Sequence, residues 1–248
     1  MTAHAPLLQV SALSKRFGGL VAVRDLSLEM ARGEVLGLIG PNGAGKTTVF
    51  NVLSGFLSPD HGEVRFDGRP LAGLKPHAIC ALGLARTFQI VRPFPRLSVL
   101  DNVRVGALAR RSQMAAAREK ARVVIDRVGL GAKTDHAAAG LTLADRKRLE
   151  LARALATEPR LLLLDEVMAG LNPTETAALV GLIQRINEDG ISILLIEHNM
   201  RAVMTLSHRV AVLSFGEKIV EGPPAAVANH PRVIEAYLGE EYVHSPAG

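Results

Sequence analysis

A glycine-rich segment constrains this chain more than any other part of its sequence. Residues 40–47 read Gly-Pro-Asn-Gly-Ala-Gly-Lys-Thr, which fits the spacing Gly-x-x-x-x-Gly-Lys-[Ser/Thr]. The apolar run Val35–Ile39 precedes it, and residues 48–57 have helical character. Glycines let backbone N–H groups approach an anion, and the start of a helix presents unpaired donors. The segment therefore predicts a phosphate-binding loop.

The loop predicts individual contacts to a nucleotide. Lys46 is expected to reach the β- and γ-phosphates, and Thr47 is expected to hold Mg²⁺. The other residues expected to contact the nucleotide are Asn42, Gly43, Ala44, Gly45 and Thr48.

Composition excludes several classes of protein. The 248 residues are 48% hydrophobic, which suffices for one large domain or a domain with a subdomain. The apolar runs are too short to span a bilayer, no signal-peptide pattern is evident, and the single cysteine cannot form an internal disulfide. These observations predict a cytosolic protein. Tryptophan is absent and aromatic residues are 4%, so no nucleic-acid platform is expected, whereas the net charge of +5 suits an anionic nucleotide or membrane surface.

The order of predicted elements indicates an α/β fold. Alternating apolar residues near the N-terminus, with a skip between Val23 and Leu26, predict antiparallel strands with a bulge. Apolar strands are predicted at residues 35–39, 84–88, 161–164 and 191–196. Helices are predicted at residues 97–109, 115–128, 144–156 and 174–188. A helical subdomain is therefore expected within residues 90–157, and Thr174 is expected to cap the last of these helices.

Polar residues at strand ends are the candidates for catalysis. Asp165 and Glu166 directly follow a predicted buried strand, where Asp165 would lie near Mg²⁺ and Glu166 would act as general base. The alternative is that both acids cap a strand end at the surface. His198 follows another apolar strand and could hydrogen-bond the γ-phosphate, although such a histidine alone is more often structural. Gln89 ends a predicted strand, and its side chain could contact Mg²⁺ or the attacking water.

The order of these motifs resembles the ATP-binding cassette family over nearly the whole chain. In that order the phosphate-binding loop is followed by Gln89, a helical insert, the pair Asp165-Glu166, and His198. The resemblance implies a P-loop NTPase fold with a RecA-like core, an N-terminal antiparallel β layer and an inserted helical subdomain. It also implies ATP and Mg²⁺ as cofactors, hydrolysis of ATP, and Phe17 as the aromatic residue that stacks on adenine.

The family signature Leu-Ser-Gly-Gly-Gln is where this sequence departs from the pattern. The aligned residues 141–145 read Leu-Thr-Leu-Ala-Asp. Thr142 keeps a hydroxyl for the γ-phosphate, but Asp145 places an acid near it. We expect the basic residues 146–148 to offset that acid. Asn172, in a short loop that crosses between subunits in the family, stands where the family usually has Asp.

Four stretches resemble ATP-binding subunits of branched-chain amino acid importers: residues 16–20, 85–89, 169–173 and 230–239. This resemblance implies a peripheral subunit on the cytoplasmic face of the inner or plasma membrane. The implied partners are two permeases, a second similar ATPase or another copy of this chain, and a periplasmic solute-binding protein, with no nucleic acid. The alternatives are an ATPase for lipid or polysaccharide export and a non-transport cassette protein. A P-loop kinase or GTPase would not explain the order of the motifs.

Overall fold

The computed structural model of the chain describes residues 5–88 and 93–244, and it describes side chains as far as Tyr237. The strands are β1 (Leu8–Phe17), β2 (Leu20–Met30), β3 (Val35–Ile39), β4 (His61–Phe66), β5 (Arg69–Pro70), β6 (Leu84–Arg86), β7 (Leu161–Asp165), β8 (Ser192–Ile196), β9 (Arg209–Ser214) and β10 (Glu217–Gly222). The helices are α1 (Lys46–Leu53), α2 (Pro76–Leu82), α3 (Val99–Ala107), α4 (Met114–Arg127), α5 (Leu143–Leu155), α6 (Pro173–Glu188), α7 (Met200–Leu206), α8 (Pro224–Ala228) and α9 (Pro231–His244). Two 3₁₀ helices cover Gly131–Lys133 and Ala138–Gly140.

The chain divides into two compact units, of which the first comprises Met1–Pro76 and Ser192–Gly248. This unit contains an antiparallel sheet in the order β2-β1-β4-β5. A second run of strands has the order β10-β9-β3-β8, in which β3 is parallel to both β8 and β9. The predicted combination of an N-terminal antiparallel layer with parallel strands is confirmed.

The skip in the apolar pattern of β2 is a true irregularity of the sheet. Leu13 pairs with Leu26 and Lys15 pairs with Val23, so β2 carries one residue more than β1 between these pairs. Asp25 lies in this extra stretch with φ 45°. The irregularity keeps Val23 and Leu26 both buried, which confirms the predicted bulge.

The second unit comprises His77–Ile191. Its strands β6 and β7 are parallel, and β7 is buried along its whole length, as its leucine run predicts. Full burial of one leucine side chain contributes about 1.5–3 kcal/mol. The successive helices α3, α4 and α5 confirm the three predicted helices, with ends within two residues of expectation. The limits of the predicted subdomain at 90–157 stay a prediction, since residues 89–92 lie outside the described part.

Helix α6 differs from the prediction at its start. It begins at Pro173, and its N-cap is Asn172 rather than Thr174. Asn172 Oδ1 accepts a hydrogen bond from the Glu175 backbone N–H at 2.9 Å, while Glu175 Oε2 accepts one from the Asn172 N–H at 3.0 Å. A capping box followed by proline at the first helical position is a stronger start than a lone threonine. The short elements β5 and α7 were not predicted from the sequence.

Helices within residues 5–88 and 93–244 are all too short or too polar to cross a membrane.

Candidate functional site

The glycine-rich loop joins β3 to α1 in the first unit, and its glycines are required by backbone geometry. Gly40 and Gly45 have φ of 148° and 101°, in the region that favours glycine. A Cβ atom on Gly40 would lie 2.0 Å from the Leu213 carbonyl oxygen. The same atom on Gly45 would lie 2.3 Å from the Ala22 carbonyl oxygen. Backbone therefore passes so close to the loop that neither position can carry a side chain.

The lysine of the loop is held by the loop itself. Lys46 is buried, and its Nζ donates hydrogen bonds to the carbonyl oxygens of Gly40 at 2.6 Å and Pro41 at 2.7 Å. These bonds keep the ammonium group inside the curve of the loop. A Cβ atom on Gly43 would meet no protein atom within 4 Å, although its φ of 77° favours glycine. The backbone N–H groups at the start of α1, Lys46 and the open face at Gly43 fit the phosphates of a nucleotide.

His198 belongs to the same unit as the loop. It comes two residues after β8, which runs parallel to β3 with Gly37 opposite Leu195. Three residues beyond that pair lie Gly40 and His198, so the histidine and the loop leave the same edge of neighbouring strands. The structure thus brings together two of the predicted site elements. His198 is exposed, as a contact to a ligand requires.

Phe17, the predicted adenine contact, ends β1 and keeps 45% of its surface exposed. The Nζ of Lys15 lies 5.7 Å from the centre of its ring, a cation–π distance. Lys15 also pairs with Asp60 at 2.8 Å, which holds the ammonium in place. An exposed ring face of this kind can stack on a base, and this assignment stays a prediction.

Asp165, the predicted metal ligand, ends β7 in the second unit and forms a buried ion pair. Its Oδ2 accepts a hydrogen bond from the Arg86 guanidinium at 2.7 Å, with only 7% and 5% of the two side chains exposed. The Asp165 N–H donates to Thr87 Oγ1 at 3.3 Å, and the Thr87 N–H donates to the Leu163 carbonyl oxygen at 2.9 Å. Arg86 lies within residues 85–89, one of the family stretches, but no sequence signal predicts its pairing with Asp165.

Glu166, the predicted general base, has an unusual backbone. Its φ is 49°, a left-handed value that is uncommon outside glycine. The carbonyl oxygen of Glu166 accepts hydrogen bonds from Lys147 Nζ and from the Ala169 N–H, both at 3.2 Å. These contacts fix the turn that follows β7. A strained residue next to a buried acid is typical of a functional site.

Gln89 lies outside the described residues, so its role stays a prediction. The chain just before it is anchored, because the Phe88 N–H donates to Glu150 Oε1 at 2.6 Å. Burial raises the pKa of the Glu150 carboxyl, against the lowering effect of the Phe88 hydrogen bond and of Lys147 and Arg153. Glu150 Oε2 is buried and has no hydrogen-bond partner among the described residues. A buried carboxyl thus fixes the approach to residue 89.

Residues 141–145, the divergent signature, form the start of α5. Thr142 is the N-cap, and its Oγ1 accepts from the Asp145 N–H at 3.2 Å and donates to Asp145 Oδ2 at 2.9 Å. The hydroxyl predicted to contact a γ-phosphate therefore also serves its own helix. Its contact with nucleotide stays a prediction.

Of the three basic residues expected to offset Asp145, only Arg148 acts on it, through its charge and without a hydrogen bond, and the other two have different partners. Arg146 donates to the Ala139 carbonyl oxygen at 3.2 Å, and Lys147 donates to Glu166 as described above. The cation that hydrogen-bonds the Asp145 carboxylate is Lys133, the last residue of the first 3₁₀ helix. Burial raises the pKa of Asp145, but the hydrogen bonds from Lys133 and Thr142, together with the charges of Lys133 and Arg148, hold that pKa below its usual value. Sequence reasoning missed Lys133 because no motif includes it.

Two families match separate parts of the chain. Residues 23–169 match the family described as ABC transporter. Residues 217–243 match a second family, described as branched-chain amino acid ATP-binding cassette transporter.

Individual relatives cover nearly the whole chain. The high-affinity branched-chain amino acid transport ATP-binding protein LivG of Escherichia coli K12 is 43% identical over 252 residues, covering 95% of this chain and 98% of LivG. The lipopolysaccharide export system ATP-binding protein LptB of Acidithiobacillus ferridurans is 34% identical over 236 residues, covering 95% and 98%. A crystal structure of the ADP conformation of an ATP-binding cassette has a TM-score of 0.87 and 29% identity, covering 95% of this chain and 100% of that one. With its nucleotide loop, its strand-end acids and these relatives, the chain belongs to the ATP-binding cassette family of transporter ATPases.

Proposed function

We propose that the chain is the ATP-hydrolysing subunit of a bacterial importer for branched-chain or related amino acids. The observation that carries this proposal is the match of residues 217–243 to a family described by that substrate, in a part of the chain separate from the nucleotide motifs. The identity to LivG along nearly the whole of both chains supports it.

In this proposal each site residue has one task. The loop amides and Lys46 bind the phosphates of ATP, and Phe17 stacks on adenine. Glu166 accepts a proton from the attacking water, and His198 with Gln89 positions that water against the γ-phosphate. Thr47, Gln89 and Asp165 are the residues that would hold Mg²⁺, which when bound offsets the charge on the phosphates. Their hydroxyl, amide and carboxylate oxygens suit a hard cation.

ATP binding would stabilise the closed form of a head-to-tail dimer. Each phosphate loop would be closed by the signature of the facing subunit, which is either a second similar ATPase or another copy of this chain. The dimer would sit on the cytoplasmic face of the membrane against two permeases, supplied by a periplasmic solute-binding protein. Because ATP would bind the closed dimer more tightly than the open one, its binding would shift the dimer toward closure, and this movement would drive the permeases.

A lipid or polysaccharide exporter is the second candidate. The identity to LptB along its length supports this reading, since the same motifs serve both kinds of transport. The lower identity of LptB, 34% against 43% for LivG, favours import.

Uptake by the assembled transporter tests the proposal. The chain is expressed with two permeases and a solute-binding protein of a branched-chain amino acid importer, and uptake of radiolabelled leucine into vesicles is measured with ATP inside. We expect uptake that requires ATP and is lost in Glu166→Gln. The matched control is Lys120→Ala, which removes a surface lysine paired with Glu158 and should transport normally. An active ATPase that imports no amino acid, and instead extracts lipid, would contradict import.

A further inference from the structure

The start of α5 carries a charge that ought to weaken any phosphate site there. Asp145 lies in the first helical turn and 11% of its side chain is exposed, so solvent screens it little. A carboxylate at this position interacts well with its own helix but repels a second anion. With Asp145 in place of the family's glutamine, a signature that faces the phosphates of ATP would bind them more weakly.

The structure contains a cation that compensates for this charge. Lys133 reaches the Asp145 carboxylate from a separate element, the 3₁₀ helix Gly131–Lys133. The Lys133 side chain is 41% exposed, so it lies at the surface rather than in the core. An ammonium has three N–H donors, and the contact with Asp145 leaves donors that can meet an anion.

The carboxylate is held in place from two sides. Thr142 Oγ1 donates to Asp145 Oδ2 at 2.9 Å, and Lys133 contacts the same oxygen. This arrangement ties the 3₁₀ helix, the N-cap and the first turn of α5 together. Loss of Lys133 would leave a fixed, largely buried carboxylate with a threonine hydroxyl and the more distant charge of Arg148, but without its hydrogen-bonded cation.

We propose that Lys133 is the positioning residue that lets the divergent signature, residues 141–145, accept the terminal phosphate of ATP bound by the facing subunit. It neutralises Asp145, so that the start of α5 presents a net favourable potential to the phosphate. The inference rests on the proposed function, because it requires a facing subunit whose nucleotide the signature closes. It concerns a residue outside every family motif.

A charge-removal cycle in the assembled transporter tests this role. The variants are Lys133→Ala, Asp145→Asn and the double variant, and ATP turnover is measured against ATP concentration. Lys133→Ala should raise the KM for ATP about tenfold and change kcat by less than about threefold, on the scale of one charge contact near a protein surface. The double variant should return KM to within about threefold of wild type, because it removes the carboxylate together with the cation.

Two controls separate the inference from stability and from the proposed function. Lys120→Ala removes another partly exposed lysine of an ion pair in the same unit and should leave KM unchanged. Nucleotide affinity of the isolated chain for its own loop should be the same in all variants. A Lys133→Ala transporter with the KM of Lys120→Ala would overturn the inference alone, as would a double variant no better than the single one. A wild-type complex without ATP turnover would overturn the proposed function, and the inference with it.

Discussion

The buried pair of Arg86 and Asp165 supports a quantitative prediction about stability. Replacing Arg86 by methionine keeps the bulk of the side chain and removes its charge. The Asp165 carboxylate, with 5% of its side chain exposed, then remains buried without its cation. Breaking a buried ion pair by removing one partner costs about 3–5 kcal/mol. We therefore expect Arg86→Met to lower the free energy of unfolding by about that amount.

Urea unfolding followed by circular dichroism measures this loss as a shift of the midpoint at constant slope. The matched control is Arg111→Met, which breaks a pair with Glu158 at 2.6 Å whose side chains are 44% and 36% exposed. An exposed pair contributes about 0–1 kcal/mol, so the two substitutions differ in burial while sharing their chemistry. The double variant Arg86→Met/Asp165→Asn should recover most of the loss, since both charges are gone. Equal losses in Arg86→Met and Arg111→Met would refute the reasoning, and so would a double variant as unstable as the single one.

Substitutions at four further positions have defined outcomes. Glu166→Gln should bind ATP normally and lower turnover by at least about 10², the scale of a general base, in a phosphate-release assay; Lys46→Ala should instead weaken nucleotide binding in calorimetry. Because burial raises the pKa of Glu150 above its ordinary 4.5, the folded protein favours the neutral carboxyl, and the stability this contributes below that pH is lost as pH rises through the folded-state pKa. Glu150→Gln, which keeps an acceptor for the Phe88 N–H, should therefore gain in urea midpoint over wild type as pH rises. Asn172→Ala should lower stability by about 1 kcal/mol through loss of the capping box, and Asn172→Asp should not.

The phosphate-binding loop was predictable because its requirements are local. A strand, glycines with left-handed φ and a helix start follow one another in the chain, and each has a sequence signal. The structure adds the reason two of these glycines are obligatory, which is the close approach of the Leu213 and Ala22 carbonyl oxygens. Leu213 is far from the loop in sequence, so the sequence of the loop alone does not predict that contact.

The buried strands were predictable for a different reason. The run Leu161–Asp165 is apolar up to its last residue, and only a strand covered on both faces buries such a run completely. The same logic placed Asp165 at a strand end. It did not give the partner of Asp165, because Arg86 is 79 positions away and lies in the neighbouring parallel strand. Register between strands is a tertiary property, and a single sequence carries little information about it.

The error over the charges beside Asp145 has a geometric cause. Residues one and two positions further along a helix point about 100° and 200° away from it, so adjacency in sequence is not proximity in space. Arg146 and Lys147 accordingly contact Ala139 and Glu166. Arg148 lies one turn on and lowers the pKa of Asp145 only through space, whereas Lys133 reaches the carboxylate from another element. A charge placed at the start of a helix is therefore balanced by what packs against that turn, and the cation that hydrogen-bonds Asp145 lies in the 3₁₀ helix Gly131–Lys133.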